Sequence, residues 1–509
     1  MGPRLGARHV LLGRMSTKCT MKRTFLILGD QLQQSVIPDW VRRDSGVILL
    51  IENQGLVARP GHLTRTAIYL SALRNFAHEL REANFAVDYR VANSFTQGVE
   101  AHRAEVAPAE IVMHRPHGRR AQNVFARLGI ELLPSPFFLT DLATFRAKNY
   151  STMEMFYRDQ RRSLQILMDG DRPVGGRWNF DEQNRLPLPK DGGTWPTPWS
   201  EELSSDEFAL VAALAPTHPG GNALAYWPRT RAQALAQLDH AVATIIPFFG
   251  PFEDAASTAN WHLAHSRLSV ALNLGLLLPD EVVRAVNREF DAGRIPLPSA
   301  EGFIRQVIGW REWVWALHQT RDAAYAEKNF LAAQAPVPST WREFGEHAMT
   351  CLSTTLHHLY EFGWTHHIER LMILTNAATL SGLNPRDVAR WMEITFVDGA
   401  EWVMEANVIG MGMFGDGGLT ATKPYVAGGN YLKKMTDFCR SCRFQPTERT
   451  TDNACPLTTL YWAFFLDHSE RLAGLHRIAP QRRAAEQRPD RAEIQIRSAR
   501  AREVVQKGI

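Results

Sequence analysis

The chain has few cysteines for its length, five in 509 residues. That scarcity excludes a disulfide-stapled scaffold, the device of small secreted domains. No apolar run approaches the ~18 residues that span a bilayer, so no membrane span is expected. Near the N-terminus the apolar run Val10–Leu12 is too short for a signal-peptide core of roughly 7–15 residues. No repeat of fixed period is present, which excludes a solenoid. These absences describe a soluble, cytoplasmic protein, expected to be monomeric.

Acid is also missing from one place. Residues 1–23 carry Arg4, Arg8, Arg14, Lys18, Lys22 and Arg23 and no Asp or Glu, a charge of +6. Residues 471–509 carry ten basic and four acidic side chains, again +6. Against a total of +4, this leaves −8 on the body between. Residues 1–23 read as a basic extension or an upstream start, and 473–509 as a basic tail, either a polar Arg-rich helix or a solvated arm. With 45% apolar and 22% charged residues, the body is an ordinary globular chain. Its length suggests two to four domains at ~100–200 residues each.

Five short apolar runs stand out: Thr24–Leu28, Gly46–Ile51, Ala86–Val91, Glu110–His114 and Ile130–Leu133. Helical periodicity separates them, as in Leu63–Ala83, where Leu70, Leu73, Phe76, Ala77 and Leu80 share a face. This alternation predicts an α/β domain over 24–145 with a doubly wound parallel sheet. Ligands of such sheets bind beyond the strand C-termini, where Gly29-Asp30-Gln31 lies. Residues 146–225, rich in Gly and Pro, read as an interdomain linker. From about Pro228 strand signals vanish, and 226–472 reads as an all-α domain.

Four cysteines gather in that domain: Cys351, then Cys439-x2-Cys442-x12-Cys455-Pro456. Four thiolates suit Zn²⁺ or an iron–sulfur cluster, and buried cysteines without metal are the third possibility. Gly410–Gly415 matches GxGxxG, but no strand precedes it, so it reads as a tight loop between helices. Ser266 in His265–Ser269 suits an N-cap or, with the backbone N–H groups there, a phosphate site. Glu301–Glu312 is amphipathic and aromatic-rich; Phe303, Val307, Trp310 and Val314 form a core stripe, with Arg305 and Gln306 needing polar partners. His366-His367 cannot share a helix face, which argues against a metal pair and leaves a proton donor or a core histidine.

Together these residues resemble the cryptochrome/photolyase superfamily, and more closely the iron–sulfur bacterial cryptochromes and prokaryotic (6-4) photolyases. The resemblance runs from about Thr24 to Leu472. It rests on LILGDQL (Leu26–Leu32), MEMFYR (Met153–Arg158), VGGRWNFD (Val174–Asp181), EGFIRQVIGWRE (Glu301–Glu312), HHIERLM (His366–Met372), NVIGM (Asn407–Met411), TKPY (Thr422–Tyr425), GNY (Gly429–Tyr431) and the four cysteines.

The resemblance implies light-driven repair of pyrimidine (6-4) photoproducts in UV-damaged DNA by a lyase. It implies FAD in the helical domain, contacted by Ser266, Leu268, Ser269, Glu301, Arg305, Asp398 and Asn407, with Asn407 nearest the flavin N5. It implies a 4Fe-4S cluster on Cys351, Cys439, Cys442 and Cys455. It further implies an antenna chromophore, 6,7-dimethyl-8-ribityllumazine, near Gly29, Asp30, Gln31 and Glu52. His366, His367 and Arg370 would face a lesion flipped out of the duplex. Trp391 would be the proximal and Trp341 the outer electron-transfer station.

Three positions depart from the family pattern. Met392 follows Trp391 where a tyrosine is expected. Met404 replaces a carboxylate, with Glu405 beside it. Leu56 stands where an acid is expected near the antenna. Two other readings follow: a blue-light photoreceptor with the same cofactors and a signalling partner, and a light-independent nucleic-acid binder with an iron–sulfur helical domain. The Trp-rich segments oppose the latter.

Overall fold

The computed structural model describes residues 23–509. The basic extension and Cys19 lie outside the described residues, apart from Arg23.

Val47–Asn53 is buried along its whole length, as expected of a strand covered on both faces. It forms β2 of a five-stranded parallel sheet with β1 (Thr24–Ile27), β3 (Ala86–Ala92), β4 (Ile111–His114) and β5 (Glu131–Leu133). The strand order is β3-β2-β1-β4-β5. The winding direction therefore reverses between β1 and β4, and the reversal opens a crevice at their C-terminal ends. The helix Leu63–Glu82 packs on this sheet, burying Leu70, Leu73, Phe76, Ala77 and Leu80. All five predicted strands and this helix form within two residues of their expected limits.

Beyond Thr230 the described chain is helical. Four segments widen into π-helical turns: Ala241–Ile245, Arg305–Arg311, Glu369–Thr375 and Glu405–Gly412. Gly410–Gly415 begins in the last of these and runs into a turn, as the missing strand predicted. A Cβ on Gly412 would lie 2.6 Å from Thr375 Oγ1, so the glycine permits close helix packing.

Two expected boundaries shift. The 146–225 linker contains a helix, Met153–Leu164, that buries Phe156, Tyr157 and Arg161 and packs against Arg305–Arg311. Gly309 allows that approach, since a Cβ there would lie 3.2 Å from the Tyr157 ring. The segment thus belongs partly to the helical domain. The basic tail is not a solvated arm either. Helix Arg491–Lys507 packs on Pro456–Asp467 and buries Ile494, Ser498, Ala501, Val504 and Val505. Its arginines lie around a narrow stripe of small and apolar side chains at helical spacing.

Candidate functional site

A cavity of about 890 Å³ opens in the helical domain. It is walled by Ser266, Leu268, Ser269, Arg305, Asp398 and Asn407, six of the seven residues expected around FAD. Three of the four π-helical turns contribute to it, through Arg305, Gln306 and Arg311, through Leu371 and Met372, and through Asn407 and Met411. An i→i+5 turn rotates the side chains that follow it, which re-aims a helix face toward a ligand.

The Ser266–Ser269 loop is set by a residue the sequence did not single out. Arg267 adopts a left-handed backbone, φ 59°, and buries its guanidinium. It donates to the Tyr226 and Trp199 carbonyls at 3.0 Å each and lies over the Trp261 and Trp227 rings. Burial lowers its pKa to about 9, which still leaves it charged at neutral pH. With Arg267 turned inward, Ser266 and Ser269 face the cavity.

Ser269 Oγ donates to Asp398 Oδ2 at 2.7 Å. Asp398 also accepts a bidentate pair from Arg370 at 3.0 and 3.1 Å. Ser269 and Asp398 therefore serve the same stretch of wall. Arg370 stands behind Asp398, over the Phe396 ring, and not on the cavity surface. Glu301 is likewise behind the wall, accepting from Tyr157 Oη at 3.0 Å and lying 3.6 Å from Arg305 Nε. Arg305 also pairs with Asp181, which is on the wall. Glu253, another wall residue, has its pKa pushed up to about 8 by burial, so its carboxyl is a hydrogen-bond donor at neutral pH. Asn407 Nδ2 donates to the Val403 carbonyl at 2.8 Å, leaving its Oδ1 as the free acceptor.

The two adjacent histidines separate, as their spacing requires. His367 is exposed and lines the cavity. Surrounding protein and Arg370 lower its pKa to about 4, an effect fully felt only when a ligand displaces cavity water. His366 is completely buried behind it, stacked on His265 at 4.3 Å and 11°. His366 thus differs from the expectation that both histidines face one pocket.

Trp391 and Trp341, the expected proximal and outer stations, are in contact, and Trp341 is fully buried. Met392 is buried in the core beside them. Met404 is buried too, and Glu405 does not replace the missing acid. Its carboxylate accepts from His318 Nδ1 at 2.8 Å and pairs with Arg119 of the α/β domain.

At the β1/β4 crevice, Gly29 is crowded by Tyr69, whose ring carbon would lie 2.3 Å from a Cβ. Gln31 donates to the carbonyls of His114 and Arg115. Glu52 is saturated by Arg74, Tyr89 and Gln54, so it has no spare oxygen for a ligand. Asp30 Oδ1, Tyr69 Oη and both His117 ring nitrogens are shielded without a hydrogen bond, and His117 Nδ1 lies 3.4 Å from Asp30 Oδ2. Although Asp30 is only half-buried, shielding pushes its pKa up to about 7. His117 and Tyr69 escaped sequence reasoning because neither belongs to the Gly-Asp-Gln run.

Cys351 and Cys455 are buried, Cys439 and Cys442 half-buried. Burial pushes the Cys351 thiol up, with Cys455, Cys442 and Cys439 adding to the effect, and all four cysteines lie in or against one core cluster. No three His, Cys, Asp or Glu among the described residues converge tightly enough for a single metal ion.

Residues 25–227 match the family of deoxyribodipyrimidine photo-lyase-related proteins. A (6-4) photolyase from Agrobacterium fabrum is 36% identical over 479 residues, 90% of this chain and 94% of that one. A bacterial class III photolyase from Agrobacterium tumefaciens superposes with a TM-score of 0.58 at 15% identity, covering 97% of this chain and 100% of that chain. A Synechocystis cryptochrome gives 0.50 at 14% identity, covering 77% and 82%. The parallel sheet followed by a helical domain is their fold, and on identity and coverage the chain belongs to the cryptochrome/photolyase family.

Proposed function

We propose that this protein is a DNA photolyase that repairs pyrimidine (6-4) photoproducts using light. The observation that carries the reading is the cavity wall, where an exposed histidine, a free asparagine acceptor, two serines and an Arg370-anchored aspartate converge.

FAD fits this cavity. Arg311 Nε and Glu253 Oε2 are shielded without hydrogen-bond partners on residues of its wall, where a polar ligand could satisfy them. Ser266 would hold a phosphate, while Asp398, with Ser269 donating to it, and Asn407 would hold the flavin. Bound FAD would supply the light-driven electron that repair needs. One Asn407 amide N–H is held by the Val403 carbonyl, which fixes the side chain and leaves Oδ1 and the second N–H for the flavin. Arg370 holds Asp398 in one rotamer through two parallel hydrogen bonds. His367, at the open wall, would donate or recover a proton at its ring nitrogen from the flipped lesion. His366 would not touch the lesion and instead packs His265 in place.

The four cysteines, gathered in or against one core cluster, would hold a 4Fe-4S cluster through their thiolates. The β1/β4 crevice suits an antenna chromophore such as 6,7-dimethyl-8-ribityllumazine. Asp30, Tyr69 and His117 would contact it; Glu52, already saturated, would not.

A blue-light photoreceptor is the second reading, favoured by Met392 and by the loss of a carboxylate at Met404. Illuminating the reduced, FAD-loaded protein with a (6-4)-containing oligonucleotide decides between them. Restored pyrimidines are expected. No restoration with flavin photoreduction intact would leave the photoreceptor.

A further inference from the structure

A second pocket, of about 350 Å³, adjoins the main cavity and shares Trp178, Asn179 and Asp181 with it. Its remaining wall includes Arg158, Arg177 and Gln183. The volume lies at the lower end of the ~300–1,000 Å³ range of small-ligand sites.

Trp178 is held with unusual firmness for a loop residue. The guanidinium groups of Arg162, Arg161 and Arg158 lie 4.7, 5.3 and 5.5 Å from its ring centroid. All three come from the helix Met153–Leu164, and the indole they hold lines the pocket together with Arg158. Arg161 is fully buried and donates to the Trp178, Ile166 and Leu167 carbonyls, so it fixes the loop and is lost to any surface role. Arg158 and Arg177 remain at the pocket. Arg158 Nε is shielded without a partner, while its outer nitrogen pairs with exposed Glu154. Arg177 has only Glu182 at 3.8 Å, and Glu182 is 91% exposed. Such exposed pairs are worth little and yield to a better anion. The nearby Asp181 is neutralised by Arg305 and Arg185.

We propose that this pocket binds the nucleotide next to the flipped lesion, its base stacked on Trp178 and its phosphate held by Arg158 and Arg177. A fixed aromatic face with adjoining arginines is the chemistry that holds single-stranded nucleotides without reading their sequence. Trp178, Asn179 and Asp181 line both spaces, so a nucleotide held in the second pocket would adjoin the contents of the main cavity. The inference rests on the DNA-repair reading and deepens it.

The test uses the FAD-loaded protein and a (6-4) duplex carrying 2-aminopurine beside the lesion. Wild-type protein is expected to quench the 2-aminopurine on binding. Trp178→Leu is expected to lose the quench and to weaken binding about tenfold, the loss of one stacked base. Trp178→Phe is expected to keep both, which separates stacking from folding. Arg177→Gln, at an exposed position, is expected to lower the slope of log affinity against log salt by about 1. Unchanged quench and affinity in Trp178→Leu overturn the pocket assignment alone. A wild-type protein that binds neither damaged nor undamaged duplex overturns the repair reading, and this inference with it.

Discussion

The indole rings of Trp341 and Trp391 lie 5.7 Å apart between centroids, with their planes inclined at 51°. Trp341 Nε1 donates to the Val505 carbonyl at 3.3 Å, so the C-terminal helix closes over the pair. With Met392 in place of a tyrosine, Trp341 is the aromatic ring in contact with Trp391. Trp391→Phe is expected to lower the rate of FAD photoreduction at least tenfold, and Trp341→Phe to lower it too, both with FAD content unchanged. Wild-type photoreduction in both variants, followed by flavin absorbance, would remove the pair from the route.

Asp398 joins Arg370 to Ser269 across the cavity wall. Asp398→Asn keeps the size but leaves the half-buried Arg370 without its charge partner. Stability is expected to fall by about 3 kcal/mol and FAD per chain to drop. Thermal denaturation and flavin content measure the two effects, and an unchanged value of both would refute the anchoring role.

Glu253 carries a pH signature. Its folded pKa of about 8 lies above the ordinary value of 4.5 because burial disfavours the charge. Between those values the folded chain holds a proton that the unfolded chain releases. Its contribution to stability therefore declines as pH rises from about 4.5 to 8. Glu253→Gln copies the protonated acid without the titration. Relative to wild type, the variant is expected to gain up to roughly 4 kcal/mol across that window. Parallel urea-midpoint curves from pH 5 to 8 would contradict it.

Cys442→Ser is expected to strip iron from the protein and to loosen the helices around Pro456–Asp467. Iron per chain and visible absorbance report the first effect, limited proteolysis the second. Full iron content in the variant would refute Cys442 as a ligand.

Val505, on the inner face of the C-terminal helix, is fully buried. Val505→Asp places an unpaired carboxylate there and is expected to cost about 3 kcal/mol or more. A melting temperature unchanged from wild type would mean that the helix is dispensable.

Local chemistry made part of this legible in advance. Runs such as Val47–Asn53 are long enough, β-branched enough and apolar enough to specify a buried strand without help from elsewhere. The missing strand before Gly410 was visible as a pattern, and so was the gathering of cysteines around Cys439 and Cys442. Other features were hidden because they depend on where side chains arrive. Nothing in HSRLS says that Arg267 turns inward and leaves the serines outward. The Arg-rich C-terminal segment concealed its buried stripe, Ile494, Ser498, Ala501 and Val505, because small residues carry little apolar signal.

Periodicity, turn residues and motif spacing are properties of neighbours along the chain, and they set the strands, the family motifs and the residue types on hand for the site. Which of those residues meet was set by the packing of the folded chain. It put His367 on the cavity and His366 behind it, drew Glu405 to Arg119 and His318, saturated Glu52 with Arg74 and Tyr89, and held Trp178 beside a second pocket. Burial and pairing are set by groups tens to hundreds of positions away, and a π-helical turn that shifts a face by one residue leaves no mark in the local pattern.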